Sequence, residues 1–191
     1  NYWDAAYAAG TYKETYEWLQ TCDTLWPFIQ TTLSAAGPSI GGYKILHVGC
    51  GNSQLGPAIA NAGHSVVNVD VSQVVIDAMK ARYPDLQWIQ ADCAEPGALG
   101  PNETYDFCID KGAVDSLIEA RTDYTARRAA AMVAEIRRVL RPGGKYVLFS
   151  NSGEGRIPLL NGVFSHVEHD TTEGYSCDLY YKVIFIFVCT R

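Results

Sequence analysis

From residue 44 onward two apolar patterns alternate along the chain. Short runs carry the β-branched and aromatic residues of buried strands: Lys44-Ile45-Leu46-His47-Val48, Val66-Val67-Asn68-Val69, Leu86-Gln87-Trp88-Ile89-Gln90, Tyr105 to Ile109, and Lys145-Tyr146-Val147-Leu148-Phe149-Ser150. Between them apolar residues recur at helical spacing. Val74, Val75, Ala78 and Met79 follow Ser72 as N-cap in a helix from Gln73 to about Tyr83, which Tyr83-Pro84-Asp85 ends. Ala129, Met132, Val133, Ile136, Val139 and Leu140 mark a core-facing helix, with Asp123 as its cap and Arg141-Pro142-Gly143-Gly144 as its stop. Strand alternating with helix predicts an α/β fold around a parallel sheet. Two further strands are expected around 163–167 and from Tyr181 to Cys189, after a mobile polar loop from Asn151 to Arg156.

Ahead of the first strand the pattern changes to an aromatic-rich region: Tyr2, Trp3, Tyr7, Tyr12, Tyr16, Trp18, Trp26 and Phe28. Tyr16, Leu19, Leu25, Phe28, Ile29 and Leu33 form an apolar stripe that predicts a helix from Thr15 to Leu33, interrupted by Pro27. Aromatics at such spacing serve either as core or as faces against a cationic ligand.

The stretch from Lys44 to Asp70 organises the rest. A strand, the turn Gly49-Cys50-Gly51, a helix-like segment and a strand ending in Asp70 make a βαβ unit, with the acid about twenty residues past Gly51, the spacing at which such units meet a ribose hydroxyl. A dinucleotide fingerprint needs a third glycine three residues on, where this chain has Gln54, and no P-loop follows. A nucleoside without phosphates, held by its ribose at Asp70 and by close backbone contact at Gly49, is the ligand left; S-adenosylmethionine fits that description. A plain strand-to-helix turn is the alternative. Asp92-Cys93 reaches the same sheet edge, where an acid can contact an adenine amine or serve only as a turn residue. Asp110-Lys111-Gly112, with Asp115 shortly after, stands at a strand's carboxyl end, where α/β sheets place their chemistry.

Composition adds bounds. The 191 residues, 48% apolar and 19% charged, indicate one globular domain. A formal charge of −6 argues against nucleic-acid binding through the overall field and permits a basic partner. Cys22, Cys50, Cys93, Cys108, Cys177 and Cys189 show no Cys-x-x-Cys pair and read as buried thiols of a reducing compartment. The longest apolar run, Val183 to Cys189, is far short of the roughly 18 residues that span a bilayer, so no membrane segment is expected. His166 and His169 lack a third ligand at useful spacing, and no metal is expected. The chain opens at Asn1 without an initiator methionine, which leaves room for a leader.

Taken together, the residues resemble the class I, seven-strand S-adenosylmethionine-dependent methyltransferases, and within them the protein-lysine methyltransferases of translation elongation factor 1A and relatives. The marks are Tyr2-Trp3-Asp4-x-x-Tyr7 with Glu17-Trp18, Val48-Gly49-Cys50-Gly51-Asn52-Ser53, Asp70-Val71-Ser72, and Asp110-Lys111-Gly112 with Asp115-x-Leu117. The resemblance implies a Rossmann-like seven-stranded, mostly parallel sheet with an antiparallel last strand and helices on both faces. It implies a single domain over 1–191: an N-terminal aromatic helical segment at 1–43 and a core at 44–191. By the same likeness Trp3, Tyr7 and Trp18 line the cofactor pocket, Gly49 approaches the methionine part, Asp70 the ribose, and Asp92 with Cys93 the adenine. Lys111 lies beside the cofactor, and Gly51 and Val71 complete the cofactor-binding set. The chain departs from the pattern at Ala6, where the family has arginine, at His47, where many members have an acid, and at Ala113-Val114 and Ser116.

The activity implied is methyl transfer to a lysine side chain of a protein; Asp110, taken as the catalytic residue, or Asp115 would orient or deprotonate the amine, with helix capping as the other reading of Asp115. The partner implied is a protein substrate, a basic translation factor, in the cytoplasm. A small-molecule N- or O-methyltransferase, or a cofactor-binding module without catalysis, is the alternative.

Overall fold

A computed structural model describes residues 2–12, 15–119, 122–175 and 181–191. Its strands are β1 (Lys44–Val48), β2 (Ser65–Asp70), β3 (Gln87–Gln90), β4 (Tyr105–Lys111), β5 (Leu140–Ser150), β6 (His166–Tyr175) and β7 (Tyr181–Thr190). They form one sheet in the order β3-β2-β1-β4-β5-β7-β6. β1 to β5 pair in parallel, and β7 runs antiparallel to both β5 and β6. This is the mostly parallel seven-stranded sheet that the sequence implied.

The parallel strands are apolar on both sides because both sides are covered. On one face Ile45, Phe107, Ile109, Val147 and Phe149 pack with Leu25, Ile29 and Leu33 of α2 (Cys22–Ala35) and with Leu55 and Ile59 of α3 (Leu55–Asn61). On the other, Leu46, Val48, Cys108 and Leu148 meet Met132, Val133 and Ile136 of α6 (Asp123–Val139). α4 (Gln73–Arg82) packs through Val75, Ile76 and Met79 against Trp88, and Ser72 caps it by accepting from Val75 N at 3.4 Å.

Several boundaries differ from the sequence expectation. The helix expected over Thr15–Leu33 begins only at Cys22, because Thr21 caps it through Thr24 N at 3.3 Å; Pro27 lies inside and removes one backbone bond without ending it. A short α1 (Tyr2–Ala8) precedes it. Thr122, not Asp123, caps α6, through a reciprocal box with Thr125, and Asp123 sits in the first turn where its negative charge complements the positive end of the helix dipole. Helix α7 (Ile157–Asn161) follows the 151–156 loop, and β6 starts at His166 instead of 163, in register with Thr190. His166 bonds Glu168 at 2.9 Å. Cys22, Cys50, Cys108 and Cys189 are buried free thiols and Cys93 is half-buried, while Cys177 lies outside the described residues. Among the described residues no helix is long and apolar enough to cross a membrane.

His47, in the central strand, is buried, with Nδ1 3.1 Å from Asn68 Oδ1. Burial outweighs that bond and pushes the imidazole down to about 4. A histidine kept neutral in the fold takes its proton first in the unfolded chain, so its contribution is complete above pH 6.5 and is lost as pH falls toward 4. Between pH 7.5 and 4.5 the protein should lose about 2 kcal/mol more stability than its His47→Gln variant. Urea unfolding of both proteins at the two pH values measures this; parallel losses would remove His47 as the cause.

Candidate active site

At the carboxyl end of β1 the chain must turn without a side chain. Gly49 and Gly51 hold φ of +57° and +51°; a Cβ on Gly49 would stand 2.3 Å from Ala113 Cβ, and one on Gly51 2.8 Å from Tyr7 Oη. The bare turn forms the floor of a cleft of about 1150 Å³. Asp70, at the end of β2, borders it with its carboxylate oriented by Gly51 N at 2.9 Å and Ser72 N at 3.0 Å. Burial pushes this carboxyl up, and the backbone donors oppose the shift. Val71 continues the rim. Past β3, Asp92 accepts from Ala94 N at 3.0 Å and is paired with Arg128, which also holds Glu95 at 2.5 Å. Cys93 adjoins it with its thiol pushed up by burial, hence protonated.

The N-terminal segment forms the roof. Asp4 fastens α1 to the start of α4, accepting from Ser72 Oγ at 2.7 Å and Val74 N at 3.3 Å. Beyond it the rings meet edge-on or tilted: Trp3 lies 6.1 Å from Trp18, and Tyr12 is 5.3 Å from both Tyr7 and Trp18. Trp3, Tyr7, Tyr16 and Trp18 face the cleft. Glu17 accepts from Ser53 Oγ at 2.7 Å and Gln54 N at 2.8 Å, and it is paired with Lys111 at the end of β4. Lys111, expected beside the cofactor, lines the cleft, but its ammonium is directed into the roof, donating also to the carbonyls of Trp18 at 3.2 Å and Gln20 at 3.3 Å. Burial lowers its pKa, and Glu17 works against the shift.

Asp110 does not touch the cleft. It is fully buried, accepts from Ala113 N at 2.7 Å, Val114 N at 3.2 Å and Tyr146 Oη at 2.8 Å, and thereby fixes the first turn of α5 (Ala113–Ile118). The expectation that it acts on the acceptor is therefore corrected: its oxygens point at protein donors. Burial pushes its carboxyl up to about 7. Asp115, one turn on, does line the cleft and is buried in a network with Ser150 Oγ at 2.6 Å, Asn151 N at 2.7 Å and Arg156 at 2.9 Å. That network holds the 151–156 loop, whose Asn151, Ser152 and Arg156 form the far wall.

Sequence reasoning gave no role to Glu17, Arg128 or Arg156. For Glu17 the adjoining Trp18 was the available signal; for the two arginines local pattern offers none. The cleft suits a nucleoside carrying a cation: backbone is bared at Gly49 and Gly51, carboxylates stand at Asp70 and Asp92, and aromatic faces lie opposite.

Residues 46–148 match the family model described as "Methyltransferase domain". The chain is 31% identical over 147 residues to the mouse eEF1A lysine and N-terminal methyltransferase, covering 72% of this chain and 19% of that protein. It is 29% identical over 159 residues to bovine EEF1A lysine methyltransferase 4, covering 79% and 60%. The chain thus spans about a fifth of the length of the mouse relative. A Methanosarcina mazei S-adenosylmethionine-dependent methyltransferase superposes with a TM-score of 0.70 at 13% identity, over 86% of this chain and 97% of that one. With the family model matching more than half of the chain and the sheet order built as described, the chain belongs to the class I S-adenosylmethionine-dependent methyltransferases.

Proposed function

We propose that the protein transfers a methyl group from S-adenosylmethionine to a lysine side chain of a protein substrate, and that a basic translation factor of the elongation factor 1A type, met in the cytoplasm, is the substrate class. The observation that carries the cofactor half is the convergence on one cleft of the bare Gly49–Gly51 turn, the Asp70 carboxylate and the aromatic roof. The acceptor half is supported by the relatives named as lysine methyltransferases and by the net charge of −6.

When bound, S-adenosylmethionine supplies an electrophilic sulfonium methyl and a neutral leaving group, so departure needs no acid. The protein's task is to hold and exclude. Asp70 would take the ribose and Asp92 with Cys93 the adenine, while Gly49 and Gly51 admit the methionine part. Trp3, Tyr7 and Trp18 would offer ring faces to positive charge and keep water off it. Placing an amine about 3 Å from the methyl supplies several kcal/mol of the rate enhancement. At pH 7 only about one lysine in a few thousand is neutral, and a desolvating cleft raises that fraction. Asp110 enters as a positioning residue: it orients α5, which carries Asp115 and Ser116 to the cleft wall.

Gly49→Arg should abolish binding of S-adenosylhomocysteine, since even a Cβ collides with Ala113; isothermal titration showing wild-type affinity would remove the floor from the cofactor site. Incubation of the protein with methyl-labelled S-adenosylmethionine and an undermethylated lysate should label a discrete protein on lysine, with the Gly49→Arg variant as control. Label confined to small molecules would overturn the protein acceptor. Asp110→Asn should leave S-adenosylhomocysteine affinity within a few-fold and lower kcat about tenfold or more through misplacement of α5, read as a split between Kd and kcat.

A further inference from the structure

Among the described residues the roof is tied to the rest of the fold at several polar points: Thr15 accepts from Arg82 Nη1 at 3.1 Å, and two further ties differ in character. At one, Asp4 meets the amino end of α4 through a hydroxyl and a backbone N–H. At the other, Glu17 bridges two separate elements, the start of α3 through Ser53 and Gln54 and the end of β4 through Lys111. Lys111 is a buried ammonium with three donors, and three acceptors surround it: the Glu17 carboxylate and the carbonyls of Trp18 and Gln20. All three belong to the roof. Lifting the roof at this end therefore strips one buried cation of every one of these partners together, which makes release all-or-none.

We infer that the Glu17–Lys111 pair is the latch of the aromatic roof: it sets how long a cofactor or product stays beneath Trp3, Tyr7 and Trp18, with Lys111 acting as a positioning residue that touches the roof and not the transferred group. The inference rests on the reading of the cleft as an S-adenosylmethionine site. Both latch residues line the same cleft as Gly49 and Gly51, and Glu17 is bonded to Ser53 and Gln54 just after that turn, so the pair ties the roof next to the backbone that admits the ligand. The side chains are 4% and 14% exposed, which keeps water from competing for the pair. The arrangement also explains why the cation at the end of β4 does not repel a sulfonium: its charge is met by Glu17.

Amide hydrogen exchange and stopped-flow release of S-adenosylhomocysteine test the latch together. Glu17→Gln should raise exchange across residues 2–12 and 15–20 about tenfold with β1 and β4 unchanged, and speed ligand dissociation by about tenfold or more. Lys111→Met, which leaves the Glu17 carboxylate its donors from Ser53 Oγ and Gln54 N, should have a smaller effect. The double variant should release ligand no faster than Glu17→Gln, because the two residues act as one unit. Unchanged exchange in the roof overturns the latch. Raised exchange with unaltered dissociation overturns its control of the ligand. Faster exchange throughout the sheet would show a general structural role and likewise overturn it. If Glu17→Gln does not fold, Lys111→Met is compared with the wild type: it should still raise exchange in the roof and speed dissociation, and unchanged values for either overturn the latch. Wild-type protein that binds no S-adenosylhomocysteine would refute the cofactor reading, and the exchange measurement on ligand-free protein would still judge the latch.

Discussion

The structure depends on a stretch of backbone that must remain bare. Gly49 and Gly51 bring the central strand to its turn with positive φ, and segments remote in sequence close on the space their missing side chains leave: Tyr7 from the roof at Gly51 and Ala113 from α5 at Gly49. Asp70 completes the arrangement by accepting from Gly51 N. A side chain here would press on α5 at Ala113 or on the roof at Tyr7. Ala113, one of the departures from the family pattern, is the residue in nearest contact with that space, so its small size is part of the fit.

Around that turn the buried charges are organised as orienting devices. Asp70 and Asp110 are held by backbone N–H groups, Asp115 by Arg156, Ser150 and a backbone donor, and Lys111 by Glu17 and carbonyls. Desolvating such groups costs several kcal/mol each before their partners repay it, and replacing them with apolar residues often leaves stability unchanged. Their value is geometric: each fixes the direction of one wall of the cleft. Asp110 sets α5, Asp115 sets the loop after β5, and Lys111 sets the roof. Asp70 and Asp92 border the same cleft, on the side of β2 and β3.

The sheet, its parallel core and the glycine turn were legible in the sequence because they rest on local pattern: apolar runs for strands buried on both faces, helical spacing between them, and glycines where the backbone must turn tightly. Helix ends were less legible. Thr21 and Thr122 cap where a longer helix and an Asp123 cap were expected, since neighbouring polar residues compete for the same backbone donors and their rotamers decide.

The sequence by itself thus determined the fold class, the turn beneath the cleft and the acids that the strands deliver to one sheet edge, because period and turn chemistry are properties of neighbours along the chain. Tertiary structure alone decided that Glu17 would find Lys111, 94 positions away, and that Arg156 would find Asp115, 41 positions away. It also decided that Asp110 would turn inward to cap α5 while Asp115 faced the cleft. Such pairings leave no periodic trace, since the free energy that selects them is the burial of a charge against a partner that only the folded sheet brings within reach.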